Sequence, residues 1–95
     1  MKNILKEAFN LLIDKTQSEV KDALMKQYPN LGNDNVLKAI DLAKQLIKDA
    51  CELADTARDK RITEAEALSV LGKKNPDFDQ KTIGEALGHG YFVTR

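Results

Sequence analysis

Cys51 is the only cysteine of the chain and His89 the only histidine, so the residues with the widest chemical range are also the rarest. A thiol and an imidazole held together can form an activated nucleophile. These two stand 38 residues apart, and Cys51 lies in an Ala- and Leu-rich run where a lone thiol reads as a small core side chain. No glycine-rich phosphate loop, metal-ligand cluster or nucleophile elbow accompanies them. The sequence therefore predicts no catalytic residue, no metal and no cofactor. One cysteine also rules out an intramolecular disulfide.

The C-terminal third offers a different kind of chemistry. Lys73, Lys74 and Lys81 are candidate phosphate contacts, because neutralising phosphate charge supplies most non-specific nucleic-acid affinity. Gln80 and Thr82, at the start of a short predicted helix, are placed to reach bases or sugars. His89 and Tyr91 are candidates for stacking on an unpaired base, and Arg95 completes the basic set. Asp77, Asp79 and Glu85 are interspersed among these residues and work against a basic patch. Two functions from different classes follow. The first is a small non-enzymatic nucleic-acid-binding module, for RNA or single strands, acting through this region. The alternative is a protein–protein interaction module, a regulator, inhibitor or immunity-type protein, with no nucleic-acid ligand.

Helices must carry these residues. Ile4, Leu5, Ala8, Phe9 and Leu12 share one face of a first helix, about residues 3–13. Thr16 and Glu19 have the spacing of a capping box, in which Thr caps a backbone N–H and Glu reaches back. The helix they open is expected to end at Pro29, since the residue before a proline avoids the α region. The longest helix is expected over 35–57, capped by Asn33 or Asp34, with Val36, Ile40, Ala43, Ile47, Ala50 and Ala54 as its apolar stripe, widened by Leu37, Leu46 and Leu53. Thr63 and Glu66 repeat the capping box, and that helix is expected to stop at Gly72. Asp79 is expected to cap a short helix carrying Ile83 and Leu87, broken by Gly88 and Gly90. Beyond it, Tyr91, Phe92, Val93 and Thr94 favour an extended segment through their aromatic and β-branched content.

An internal repeat runs beneath this map. Moving residues 16–40 by 47 positions lays them on 63–87 without a gap, with six identities: Thr16/Thr63, Glu19/Glu66, Leu24/Leu71, Lys26/Lys73, Pro29/Pro76 and Ala39/Ala86. Leu31/Phe78, Val36/Ile83 and Ile40/Leu87 are conservative pairs. Such a match arises from duplication or from shared helix–turn–helix grammar.

Ile62, Thr63, Ala67 and Leu71, followed by Asn75-Pro-Asp-Phe-Asp-Gln-Lys-Thr-Ile-Gly84, resemble the OST-HTH (LOTUS) domain. That family passes from its second helix to its third through a Pro-x-Phe-Asp-x-basic-x-aromatic-Gly turn. The resemblance covers residues 55–95 and implies a winged-helix fold that binds RNA or docks onto a helicase partner. Ile83 stands where the family has an aromatic, and the segment after Gly84 is shorter than the family's final helix. More faintly, residues 55–66 resemble a degenerate EF-hand loop, with Asp55, Asp59, Thr63 and Glu66 at ligand positions and Ile62 at the apolar eighth. Ala57 and Lys60 replace a ligand and the turn glycine, so no calcium is expected. The stretch from Leu53 to Thr63 is also similar to the end of the central helix of the histone fold, which implies a clamp between Arg58 and Glu66.

Composition sets the outer bounds. Ninety-five residues with 42% hydrophobic and 32% charged side chains suit one folded helical domain, here taken as residues 1–95. Fifteen basic residues balance fifteen acidic ones, so no global field steers the chain to polyanions or anionic lipid. No apolar run reaches membrane-spanning length, and the charges at Lys6 and Glu7 interrupt any signal-peptide core. A reduced, cytoplasmic setting is expected. The predicted class is mainly all-α: a compact bundle of four to five helices with helix-turn-helix character and a possible short C-terminal strand. Expected partners are nucleic acid or a protein, with no membrane and with a homo-oligomer left open.

Overall fold

Both Thr-x-x-Glu signals open helices. In a computed structural model, which describes the backbone of residues 2–94 and the side chains of residues 4–93, Thr16 starts one capping box and Thr63 another. Five helices follow in order: α1 Lys2–Leu12, α2 Gln17–Gln27, α3 Asn33–Arg58, α4 Glu64–Lys74 and α5 Gln80–Thr94. The protein is all-α, and no strand occurs among the described residues.

The chain divides into two compact units, residues 1–44 and 45–95, and the division falls inside α3. In the first unit α1 packs on α2. Ile4, Leu5, Ala8 and Phe9 are buried on α1, Val20 and Leu24 on α2, and Val36, Ala39, Ile40 and Ala43 on α3. Burying each of the larger aliphatic or aromatic side chains contributes about 1.5–3 kcal/mol. Lys44 Nζ donates to Gln17 Oε1 at 3.0 Å on the surface of this unit. In the second unit α4 packs on α5. Its core comprises Leu46, Ala50 and Ala54 of α3, Ala67 and Leu71 of α4, Phe78 of the turn, and Ile83, Ala86 and Leu87 of α5.

The 47-residue offset extends to the backbone. Helices α2 and α4 are both 11 residues long, and their bounds differ by that offset at each end. The N-caps Thr16 (φ −72°, ψ 160°) and Thr63 (φ −81°, ψ 164°) share one conformation, as do the C-caps Tyr28 (φ −126°, ψ 64°) and Asn75 (φ −129°, ψ 62°). The turns share their main backbone bonds. Leu31 N–H donates to Tyr28 O and Phe78 N–H to Asn75 O, while Val36 N–H donates to Gly32 O and Ile83 N–H to Asp79 O. Helix α3 begins at Asn33 and α5 at Gln80, again one offset apart.

Several expectations need correction. Asn33 and Asp34 lie inside the first turn of α3 rather than capping it. Gly32, at φ +86°, precedes that turn, and Asn35 Nδ2 donates to Leu31 O at 2.7 Å. On α3 Ile47 is only half-buried, whereas Ala39 and Asp49, outside the expected stripe, are buried. Gly72 does not stop α4, which continues to Lys74. Nor do Gly88 and Gly90 break α5, and residues 91–94 prolong that helix instead of forming the expected strand. Gly90 has a packing reason to be glycine. A Cβ there would lie 2.6 Å from Ala50 O and 3.2 Å from Ala54 Cβ, so α5 passes α3 at a distance only glycine allows. Contact with α3 outweighs both the helix penalty of glycine and the β preference of the tail.

Candidate functional site

Five of the eight predicted site residues, Lys73, Lys74, Gln80, Lys81 and Thr82, fall on the corner between α4 and α5. Lys73 and Lys74 form the last turn of α4, and their charge suits its carbonyl-rich end. Asn75 caps that end and turns inward. Its Nδ2 donates to Leu71 O at 3.1 Å and to Asp49 Oδ2 at 3.2 Å. Gln45 Nε2 donates to the other Asp49 oxygen at 2.8 Å. A buried carboxylate is costly unless hydrogen-bonded, so this amide–carboxylate–amide chain ties the corner to α3. Phe78 plugs the turn into the core and is 9% exposed. Asp79 Oδ1 then accepts from Thr82 N–H at 2.8 Å, which caps α5.

A cleft of about 630 Å³ opens between the two helices. Helix α4 contributes Leu68, Ser69, Gly72 and Lys73, the turn Pro76 and Phe78, and α5 Gln80, Ile83 and Gly84. A Cβ built at Gly72 or Gly84 would meet nothing within 4 Å, and the same holds at Gly88. These helical glycines are therefore not required by packing, although each disfavours its helix by about 1 kcal/mol relative to Ala. Nothing in their types or spacing marks Leu68, Gly72 or Gly84 as site residues in the sequence. The available signal is a glycine inside each of two helical patterns, of which local rules read Gly72 as a stop and leave Gly84 within its helix.

The eight expected nucleic-acid-binding residues separate into distinct groups. Lys73, Lys74, Gln80 and Lys81 are exposed. Thr82 is corrected: at 1% exposure it faces the core and is closed to a base or sugar. His89 is half-buried. Tyr91 is half-buried too, its carbonyl accepting from the Arg58 guanidinium, which also lies 5.8 Å from its ring centroid. One face of the ring expected to stack on a base therefore already carries a cation. Arg95 lies outside the described residues. Asp77, Asp79 and Glu85 are all exposed, and Lys81 and Glu85 sit one turn apart on the same face of α5.

The remaining candidates are placed as follows. Cys51 is partly buried, and desolvation, followed by the neighbouring Glu52 charge, pushes its thiol above the usual range, so less of it is thiolate. In the 55–66 segment Asp55 belongs to α3, Asp59 pairs with Arg61 at 2.8 Å, and Glu66 Oε1 accepts from Thr63 N–H at 3.2 Å. Lys60 holds φ +64° after the helix. Arg61 N–H returns to Thr56 O and Lys60 N–H to Ala57 O, a Schellman ending with lysine where glycine is usual. Glu66 is thus engaged in its capping box, and Arg58 contacts Tyr91. Among the described residues no group of three or more His, Cys, Asp or Glu could hold a metal ion. Among the same residues no helix is long and apolar enough to cross a membrane. Comparison with known proteins gives no match to a protein-family model, a curated protein or a solved structure.

Proposed function

We propose that the chain is a non-catalytic protein-interaction module that presents the α4–α5 corner of its second unit to a partner. The observation that carries this reading is the contrast between the cleft and its surroundings. The cleft is lined chiefly by apolar side chains and glycines, while the exposed charges around it balance: Lys73, Lys74 and Lys81 against Asp77, Asp79 and Glu85. A nucleic-acid backbone gains affinity from net positive charge, and this surface has no net excess. Protein interfaces instead combine a desolvated apolar centre with a polar rim of mixed sign. A pull-down with the full chain tests the reading. A single stoichiometric protein, retained after nuclease treatment, supports it.

A second reading, a module for RNA or single strands, rests on the exposure of Lys73, Lys74, Lys81 and Gln80. It predicts salt-dependent binding to a mixed oligonucleotide pool that weakens when the three lysines become Glu. Binding of that kind, with no protein retained, would replace the first reading.

A further inference from the structure

On the reading of the chain as a protein-interaction module, the cleft also specifies what kind of partner segment it takes. Nine residues line it, whereas a stable interface between folded surfaces uses roughly 20–30 residues a side. The cleft therefore matches a short linear segment. Its floor is apolar, built from Leu68, Phe78 and Ile83, and Lys73 is the one charged residue in the lining. A single lysine beside an apolar floor complements one carboxylate rather than a polyanion.

The first unit supplies an internal comparison. At the 47-residue offset, Gly72 corresponds to Met25 and Gly84 to Leu37. Residues 16–40 and 63–87 share their caps and turn bonds, yet only the first segment carries aliphatic side chains at these positions. In the second unit the glycines leave open space that no packing contact requires. Gly88, one turn beyond Gly84 on the exposed side of α5, extends the open strip.

We propose that the α4–α5 cleft is a docking groove for a short amphipathic segment of a protein partner, one that carries a single carboxylate beside two aliphatic side chains. The segment inserts two aliphatic side chains over Gly72 and Gly84, supplying from outside what the first unit carries as Met25 and Leu37. Its carboxylate faces Lys73 and fixes the register.

The test uses the full chain and short fluorescein-labelled amphipathic peptides bearing Leu at i and i+4 with a flanking Glu. Control peptides carry Ser for both Leu residues, or Lys for the Glu. Fluorescence anisotropy is expected to show binding of the Leu/Glu peptide and none of the Ser control. Gly72→Met and Gly84→Leu should each weaken binding by about tenfold or more, with melting temperatures at or above that of the wild type. If either variant misfolds, Gly72→Ala and Gly84→Ala place a smaller group in the same space and should give a smaller loss. Lys73→Glu should reverse the preference between Glu- and Lys-bearing peptides.

The groove assignment fails if the Ser controls bind as well as the Leu peptides, or if folded glycine variants bind like the wild type. Dimerisation of the chain that is abolished by Gly84→Leu would give the groove to a second copy and overturn the assignment. If the glycine variants retain a nuclease-resistant protein partner undiminished, the groove falls and the interaction reading stands. Capture of nucleic acid alone removes the interaction reading itself.

Discussion

Residues 16–40 and 63–87 trace the same backbone path and place different side chains on it. The shared part is local: a Thr–Glu capping box, a cap one turn past a buried leucine, a proline, and an apolar turn residue that is half-buried Leu31 in one case and buried Phe78 in the other. Differences within the repeat fall at positions where its backbone tolerates either side chain, whereas Gly90, just beyond it, is dictated by a neighbouring backbone. Tyr28 becomes Asn75 and acquires a buried bond to Asp49. Met25 and Leu37 become glycines beside a cleft, and Ala43 becomes Gly90 against the α3 backbone. A few residues thus suffice to set helix–turn–helix geometry, and the others are free to specialise one copy.

Substitutions can break this comparison or sharpen it. The largest effect is expected at Gly90. Its counterpart Ala43 carries a buried methyl group in the first unit, but at Gly90 a Cβ would meet Ala50 O at 2.6 Å. Gly90→Ala should destabilise the protein by about 3 kcal/mol, read as a lower urea midpoint. A neutral result would mean that α5 does not pass α3 as closely as described. Next comes Asn75→Ala, which strips a donor from the buried Asp49 carboxylate and should cost about 2 kcal/mol. An Asn75→Ala melt indistinguishable from wild type would remove the polar tie that sets the second unit apart.

The two capping boxes should respond alike. Thr16→Ala and Thr63→Ala are each expected to cost about 1 kcal/mol at neutral pH, and a large inequality in chemical denaturation would show that one unit leans less on its cap. Lys60→Gly should act in the opposite direction, stabilising by roughly 0.5–1 kcal/mol by relieving a non-glycine residue at φ +64°. The smallest effect concerns pH. The Thr16 backbone N–H, then its hydroxyl, hold Glu19 below its ordinary value of 4.5. A depressed carboxylate contributes stability above the unfolded-state value and loses it as pH falls through the folded one. The difference between wild type and Thr16→Ala should therefore shrink in acid, and a difference that grows below that value would contradict the capping role of Glu19.

The sequence made the repeated elements legible because their signals are local. Thr16/Glu19 and Thr63/Glu66 each lie within one helical turn, and Asp79 lies just before the helix it caps. Gly90 could not be read the same way, because its reason is a backbone forty residues earlier in the chain. For the same reason the tail from Tyr91 to Thr94 reads as strand by propensity but is helix. Thr82 illustrates a finer failure. Its position near a helix start suggested an exposed hydroxyl, but the burial of Ile83 and Ala86 beside it marks the core-facing side of α5. Of the candidate site, the turn with Phe78 and the lysines at 73, 74 and 81 were legible. The cleft was not, since an open space between two helices leaves only glycines as its trace.

Helix α3 runs unbroken for 26 residues across the boundary between the units. Its first part supplies Val36, Ala39, Ile40 and Ala43 to one core, and the part after Lys44 supplies Leu46, Ala50 and Ala54 to the other. A cut after Lys44 would leave each unit its own wall but halve the helix. Isolated helices shorter than about 12–15 residues are marginal in water, so helical continuity, rather than packing, is what such a cut would cost.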